Sequence, residues 1–394
     1  MKGSIQKRGE KSWRIAVYLG INSQGKKEYY RETFHGTKKE AERRAAELVN
    51  QVNNRTFIKP AQITLGEFLQ RWLEEYVRHS VRPATYDMYE MLVRVRIAPA
   101  LGQVRLDELS PLDLQRFYRQ IVEGPRADGK PGQLASTTVK HIHSVLRAAL
   151  RRAVKWQVLA RSPAEVVDPP RAQKKPLRVW TPDEAARFLE FVQDDRYYAA
   201  YLLAIGAGLR RGEILGLRWQ DVDPINHAVI VNQSVVPTTA GNLIQEPKTA
   251  GSRRVVLISE RTIEALTRRI ASIQKERADY ESIYGEGSYT DLGLIFPGVG
   301  GRPLNPSAFT RRFGHLAEKT GLPKIRFHDL RHTHATLMLQ AGVHVKVMSE
   351  RLGHSSISTT MNTYAHVLPT MQREVAHTVD RLLGLTEKGD ALVN

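Results

Sequence analysis

The stretch Phe327-His-Asp-Leu-Arg-His-Thr-His-Ala-Thr-Leu-Met-Leu-Gln-Ala-Gly342 decides how the C-terminal half of this chain is interpreted. Its apolar residues recur at helical spacing and Gly342 suits the position after a helix, so the stretch predicts a loop entering a buried helix. The apolar positions are Leu330, Ala335, Leu337, Met338 and Ala341. His328 and Arg331 lie three residues apart at its start and can point the same way. Two phosphate-binding side chains at the positive end of a helix predict an anion site.

Three further segments form a pattern with this stretch. They are Gly208-Leu-Arg210-Arg211-Gly-Glu213, Leu352-Gly-His354 and Asn362-Thr-Tyr364-Ala-His366. Together the four segments resemble the tyrosine recombinase (phage integrase) family, whose members break and rejoin DNA through a phosphotyrosine. The resemblance covers nearly the whole chain and is strongest over residues 200–366.

The balance of charge also indicates a nucleic-acid partner. The 394 residues carry 59 Lys and Arg against 41 Asp and Glu, a formal net charge of +18. Residues 1–175 hold 33 Lys and Arg against 18 Asp and Glu, so they account for +15 of this excess. Such a charge favours a polyanionic partner, and nucleic acid is the commonest one. A solubilising surface alone would not require this asymmetry.

The sequence contains no cysteine, which excludes disulfides, cysteine nucleophiles and thiolate metal sites. No apolar run approaches the roughly 18 residues needed to span a bilayer. The N-terminal segment Met-Lys-Gly-Ser-Ile-Gln-Lys-Arg lacks the apolar core of a signal peptide. We therefore expect a soluble cytoplasmic protein without a membrane partner.

Residues 1–59 predict a small basic domain of three strands and one helix. Alternation gives the second strand an apolar face and a mixed basic and aromatic face. The alternating residues are Trp13, Ile15, Val17 and Leu19 on one face and Arg14, Ala16 and Tyr18 on the other. The module resembles the arm-binding domain of integrases, with Arg14 and Tyr18 as candidate DNA readers, because strands can enter a major groove. A small α+β domain without this role is the alternative.

Residues 63–166 predict an all-helical bundle. Thr64-x-x-Glu67 is a capping box, and helical patterns follow over residues 65–77, 84–97, 111–122 and 136–156. The last of these helices carries a basic cluster of His141, His143, Arg147, Arg151, Arg152 and Lys155. In the family, a helical core-binding domain occupies this position, which makes His141, Arg147 and Arg151 candidate DNA contacts. A solvated helix face is the alternative for any one of them. The proline-rich, charged stretch 166–176 predicts a linker.

Residues 177–384 predict a third domain, mainly α with a small sheet. It opens with the capping box Thr181-Pro-Asp-Glu184. Residues 228–236 and 254–258 predict strands around a hairpin-like turn that contains Lys248. A final helix is predicted from Pro369, with an apolar stripe that packs on its own domain or on a neighbouring protomer. The predicted fold is therefore multidomain and mainly α with small β: sheet module, helical core-binding domain and mixed α/β tyrosine-recombinase catalytic domain.

The chemistry of a DNA phosphodiester explains the residue types at the six family positions. Cleavage without a metal needs cations at the non-bridging oxygens, and arginine stays charged and binds them bidentately. The resemblance implies Arg210 and Arg331 in this role, with Glu213 as a supporting acid. It also implies His328 as a phosphate donor or proton carrier, and His354 as a second donor.

The same resemblance assigns the two groups that exchange bonds and protons with the DNA. Tyr364 is the nucleophile, because a phenol both attacks and leaves and so keeps the bond energy for rejoining. Lys248 is the general acid for the departing 5′ oxygen. Each of these residues also has a structural alternative. Tyr364 could be a packed core tyrosine, Lys248 a solvated turn lysine and Arg210 an ordinary surface arginine. His328, His332 and His334 could form a metal cluster or pack as ordinary polar residues.

The sequence thus predicts a site-specific recombinase, the integrase of a phage or mobile element, that needs no cofactor. The partners implied by the family are double-stranded DNA at core and arm sites, three further copies in a tetramer that acts through a Holliday junction, and an excisionase or host DNA-bending protein. A Xer-like resolvase, a type IB topoisomerase and a non-catalytic DNA-binding protein are the alternatives.

Overall fold

The computed structural model describes residues 3–21, 24–54, 57, 63–124, 133–170, 177–247, 253–353, 356–364 and 383. The chain forms two compact units, residues 1–174 and 175–394. A further division of the first unit near residues 59–63 remains a prediction. In the described part of the chain, no helix is both long and apolar enough to cross a membrane.

The N-terminal sheet is antiparallel, with its strands in chain order and one helix against its apolar face. Its elements are β1 (Gly3–Gly9), β2 (Ser12–Ile21), β3 (Lys27–His35) and α1 (Lys38–Asn53). Ile15 and Val17 of β2 are buried against Ala45 and Leu48 of α1. Thr37 begins α1 with the capping box that the sequence predicts. The predicted strands and helix are confirmed.

The helices between residues 65 and 155 pack around a core of their own. They are α2 (Leu65–Trp72), α3 (Arg78–Ser80), α4 (Pro83–Leu92), α5 (Ala98–Leu101), α6 (Pro111–Glu123) and α7 (Ser136–Lys155). π-Helical turns at Leu73–Val77 and Val93–Ile97 join α2 to α3 and α4 to α5. Trp72, with 1% of its surface exposed, stacks on Tyr89 at a ring-centroid distance of 5.8 Å. The predicted helical bundle is confirmed.

The second unit is built around an aromatic core. Its helices are α8 (Pro182–Phe191), α9 (Tyr198–Gly206), α10 (Arg211–Gly216), α11 (Glu260–Tyr284), α12 (Pro306–Lys319), α13 (Phe327–Gln340), α14 (Val345–Leu352) and α15 (Ile357–Tyr364). The rings of Phe188, Tyr201 and Phe313 pack on one another, and Phe327 at the start of α13 joins them through Phe313. This contact anchors the helix that carries the first motif to the core of the domain.

The strands of this unit differ from the sequence prediction. They are β4 (Val222–Asp223), β5 (Ala228–Val231), β6 (Ser234–Thr238), β7 (Gly241–Gln245) and β8 (Arg254–Leu257). The prediction of one strand over residues 228–236 was wrong, because the chain leaves the first sheet at Asn232 and Gln233. The Asn232 amide donates to Asp221 Oδ1 at 3.0 Å, and the Gln233 amide donates to the Gly216 carbonyl at 2.8 Å. β5 therefore pairs with β8 and β4, whereas β6 pairs with β7 in a separate hairpin.

Candidate active site

The last turn of α14 collects three arginine side chains from three other parts of the domain. Each donates a hydrogen bond to a different main-chain carbonyl in that turn. The pairs are Arg254 with the Arg351 carbonyl (2.8 Å), Arg210 with the Gly353 carbonyl (3.1 Å) and Arg331 with the Leu352 carbonyl. The C-terminal end of a helix carries partial negative charge, which stabilises cations there. This turn therefore holds the two predicted phosphate-binding arginines side by side.

Glu213 links two of these arginines from below. Its side chain is 8% exposed, and its carboxylate accepts from Arg210 Nη1 at 2.8 Å and from Arg254 Nη2 at 2.8 Å. Burial alone would raise the pKa of Glu213, but hydrogen bonding and charge from Arg254, with help from Arg210, lower it to about 2. The carboxylate stays ionised and fixes the Arg210 guanidinium, whose side chain is 38% exposed.

Arg331 is buried without a carboxylate of its own. Only 3% of the residue is exposed, and its guanidinium donates to the Gly208 carbonyl at 2.7 Å as well as to Leu352. In the described part of the chain, no carboxylate lies within ion-pair distance of it. Burial and then the neighbouring charge of Arg210 lower the pKa of Arg331 to about 9. Glu213 acts on Arg331 only at longer range, so this guanidinium can still take an anion as a direct partner.

Gly208 brings its carbonyl to Arg331 through a backbone that other residues rarely adopt. Its φ is +66°, and a Cβ atom there would lie 2.5 Å from Cδ2 of His334. His334 is 1% exposed and both ring nitrogens are used: Nδ1 lies 2.8 Å from the Ile205 carbonyl, and Nε2 accepts from Arg351 Nε at 3.3 Å. His334 thus connects α13 to the end of α9, which is a structural role. Among the described residues, no group of three or more His, Cys, Asp or Glu is placed to hold a metal ion.

Tyr364 ends α15 with its ring buried and its hydroxyl held by a histidine. The residue is 2% exposed, and its ring packs in an apolar cluster. The other buried members of that cluster are Ala335, Leu339, Met348 and Leu352. Its hydroxyl lies 2.7 Å from Nδ1 of His332. Burial raises the pKa of Tyr364 to about 12, although the charge of Arg331 acts in the opposite direction.

His332 is the functional candidate that the sequence analysis missed, since it was considered there only as part of a metal cluster or as polar packing. It lies four residues after His328 on α13, and this spacing places both rings on one helix face. The two rings meet edge to face with centroids 5.0 Å apart. The His328 side chain reaches solvent, but the protein atoms around it displace part of its hydration. This desolvation, and then the charge of Arg331, lower the pKa of His328. The spacing was therefore a signal that could have identified His332.

Two of the six predicted active-site residues, Lys248 and His354, lie outside the described residues, as does the predicted helix from Pro369. The structure brings the other four together. Arg210 and Arg331 bind carbonyls of the α14 turn, and His328 lies one turn before Arg331 on α13. Tyr364 contacts α13 through His332.

The predicted DNA-binding residues of the first unit have different environments. Arg14 is exposed on the face of β2 opposite the core, and Tyr18 on that face contacts Tyr29 at a ring-centroid distance of 5.4 Å. Arg31 lies over the Tyr29 ring at 5.4 Å, so this face of the sheet carries a second cation beside Arg14.

The basic face of α7 is partly neutralised. Arg147 and Arg151 both form ion pairs with Glu165, and Arg152 lies 3.5 Å above the Tyr76 ring. His141 is exposed. To bind a phosphate, Arg147 and Arg151 would therefore have to break their ion pairs with Glu165 or contact the phosphate while those ion pairs remain.

Comparison with known proteins identifies the class of protein. The family model for the phage integrase family matches residues 178–371, and that for the phage integrase N-terminal SAM-like domain matches residues 64–121. A tyrosine recombinase XerC-like protein of Caldanaerobacter subterraneus is 30% identical over 97% of this chain and 99% of its own length. The ICEBs1 integrase of Bacillus subtilis is 24% identical over 96% and 100%.

Solved structures agree with this result. The Tn1549 transposon integrase in complex with a circular intermediate DNA is 25% identical and superposes with a TM-score of 0.63, covering 79% of this chain and 99% of that one. A lambda integrase dimer bound to a core site, 17% identical, has the same fold with a TM-score of 0.53 over 91% and 93%. The chain belongs to the phage integrase family of tyrosine recombinases, enzymes that cut and rejoin DNA strands. The resemblance and the fold class expected from the sequence are confirmed.

Proposed function

We propose that this chain integrates and excises a mobile DNA element by site-specific recombination. Its active-site residues would be Arg210, Lys248, His328, Arg331, His354 and Tyr364. The observation that carries this proposal is the buried Arg331, which has no carboxylate within ion-pair distance among the described residues. It hydrogen-bonds the same α14 turn as Arg210 and acts electrostatically on Tyr364. A DNA phosphate is the anion that would complete this arrangement.

The geometry supports a two-step exchange of phosphodiester bonds. The Tyr364 oxygen attacks phosphorus, the bond from phosphorus to the 5′ oxygen breaks, and a 3′-phosphotyrosine forms. Arg210 and Arg331 stabilise the charge that develops on the non-bridging oxygens. Lys248 would protonate the departing 5′ oxygen, with His328 and His354 as further donors. The 5′-hydroxyl of a partner strand then attacks the phosphotyrosine and releases Tyr364.

The partners follow from the same assignment. Structures of the Tn1549 and lambda integrases contain DNA, which supports double-stranded DNA as substrate. We assign residues 1–59 to arm-site binding, residues 63–166 to core-site binding and residues 177–384 to catalysis. Four copies would exchange strands through a Holliday junction, and an excisionase or a host DNA-bending protein would set the direction.

A resolvase is the second candidate, and the XerC-like name of the 30% identical relative favours it. A plasmid assay separates the two. The expressed chain receives one plasmid with the joined ends of the element that encodes it and a second with the empty chromosomal site. An integrase joins the two plasmids, and sequencing locates the new junctions at those sites. A resolvase instead acts on two identical sites within one plasmid and leaves the unlike pair unjoined.

A further inference from the structure

The hydroxyl of Tyr364 has one side-chain hydrogen-bond partner in the described part of the chain, and that partner is His332. Nδ1 of His332 lies 2.7 Å from the Tyr364 oxygen, and the two ring centroids are 5.7 Å apart. His328, the residue that the family pattern marks, packs edge to face with the His332 ring instead. The atom placed to exchange a proton with the nucleophile therefore belongs to His332.

We propose that His332 accepts the phenolic proton of Tyr364 as the tyrosine oxygen attacks the DNA phosphate. This inference rests on the proposed function, in which Tyr364 is the nucleophile. The proton moves to Nδ1, the oxygen–phosphorus bond forms, and the bond to the 5′ oxygen breaks as that oxygen takes a proton from Lys248. In the reverse step, Nδ1 returns the proton to the departing tyrosine. His328 is then left to contact the phosphate.

The protonation states of the two groups agree with this role. Burial keeps Tyr364 protonated, because it raises the pKa of the phenol to about 12, so the hydroxyl has a proton to donate. Desolvation and then His328 lower the pKa of His332 to about 4, so at neutral pH its ring is uncharged. When the proton of a neutral imidazole lies on Nε2, Nδ1 is an acceptor. His332 is then ready to receive the phenolic proton.

Substrate binding would strengthen this base. Besides Tyr364 on α15, the groups that act on His332 come from α13 and its N-cap. Arg331, Arg326 and His328 lower its pKa, whereas Asp329 raises it. A phosphate bound to Arg331 offsets the larger of the two arginine effects on His332, and a negative neighbour favours the protonated imidazole. The proton affinity of His332 would therefore rise when the scissile phosphate arrives.

The decisive experiment measures single-turnover formation of the covalent protein–DNA adduct as a function of pH. His332→Asn keeps an oxygen near the position of Nδ1 but removes the base. We expect cleavage near neutral pH to fall by about 10²–10⁴-fold, the usual value of such a proton transfer. DNA affinity and melting temperature should stay close to those of the wild type. His315→Asn, on the exposed surface of α12, is the matched control and should cleave normally.

The pH profile distinguishes proton transfer from packing. Without His332 the phenol must lose its proton to solvent, so the His332→Asn rate should rise about tenfold per pH unit below the phenol pKa. Replacement of Tyr364 by a fluorinated tyrosine, whose ring fluorines lower the phenol pKa, should restore much of the lost rate. A bridging 5′ sulfur should not restore it, because that substitution assists only the leaving group.

Three results would overturn the inference. His332→Asn could cleave at the wild-type rate, it could be impaired by one constant factor at every pH, or the fluorinated tyrosine could fail to rescue it. In each case an adduct formed by the wild type through Tyr364 would leave the proposed function standing. If the wild type forms no adduct with Tyr364, the proposed function and the inference fail together.

Discussion

At the scale of single residues, Arg254 and Arg331 show that buried arginines can have opposite energetic roles. Arg254 is paired with buried Glu213, whereas Arg331 has main-chain carbonyls as partners. Removal of one member of a buried ion pair costs about 3–5 kcal/mol because the other charge is left behind. Burial of an unpaired cation is itself unfavourable, and under the proposed function it persists because the cation binds a substrate anion.

We therefore predict different stabilities for Arg254→Met and Arg331→Met. Arg254→Met should lower the free energy of unfolding by about 3 kcal/mol, since Arg210 still offsets part of the Glu213 charge. Arg331→Met should change it by about 1 kcal/mol or less, yet lower adduct formation by about 10²–10³-fold. Urea unfolding and a cleavage assay measure the two effects. Equal destabilisation by both variants would show that Arg331 is a structural residue.

The buried His334 predicts how stability depends on pH. Burial and then Arg351 lower its pKa from 6.5 to about 4. Between these two values the unfolded chain binds a proton that the folded chain does not, so the stability from this group is present above pH 6.5 and is lost as the pH falls towards 4. The loss amounts to as much as about 3 kcal/mol.

His334→Asn should flatten this dependence, because it keeps a donor near the Ile205 carbonyl and cannot titrate. Urea unfolding of both proteins across this range of pH is the measurement, with His315→Asn as an exposed control. Parallel curves for the wild type and His334→Asn would contradict the assignment.

At the scale of elements, two glycines with similar backbone angles test what the α9–α10 junction requires. Gly208 has φ +66° and would place a Cβ against His334, whereas Gly342 after α13 has φ +77° and open space around it. Gly342→Ala should therefore cost only the strain of the left-handed conformation, about 1–2 kcal/mol.

Gly208→Ala should cost clearly more and should also impair cleavage, because it displaces the carbonyl that holds Arg331. Thermal melting and the adduct assay measure the two outcomes. If both alanine variants have the same melting temperature and the same cleavage rate, the close approach of Gly208 to His334 is not required for the site.

Helix starts were predictable from the sequence because their signals are local. The capping boxes at Thr37, Thr64 and Thr181 each lie within four residues, and all three form as predicted. The break at Asn232 was not predictable, because it depends on partners as far away as Gly216. The role of the α14 turn in holding the arginines was not predictable either, because its main-chain carbonyls are present whatever the side-chain sequence.

Some site residues could likewise be predicted from the sequence and others could not. Arg210, His328, Arg331 and Tyr364 could be assigned by resemblance because family motifs name side chains. The contact between His332 and Tyr364 joins residues 32 positions apart and appears only once α13 and α15 are packed.

At the scale of the whole molecule, the uneven charge suggests two separable DNA affinities. Strands β1 to β3 and helix α1 form a sheet and helix with a core of their own, and Arg14, Arg31 and Tyr18 lie on the face of the sheet opposite that core. Deletion of residues 1–59 should remove binding to arm DNA while core-site cleavage survives. The lost affinity should have a linear dependence on log salt, as expected for phosphate contacts. Filter binding with separate arm and core fragments is the measurement, and unchanged affinity for every fragment would refute this division of labour.

The most direct test of the proposed mechanism is the identity of the residue that becomes joined to DNA. The protein is incubated with DNA that carries the joined ends of its element and a nick that traps the cleaved strand. The adduct is then digested and sequenced by mass spectrometry. The proposed mechanism predicts a 3′-phosphate on Tyr364, and no adduct with Tyr364→Phe although that variant binds the same DNA and melts at the same temperature. An adduct that persists in Tyr364→Phe, or one mapped to another residue, would contradict it.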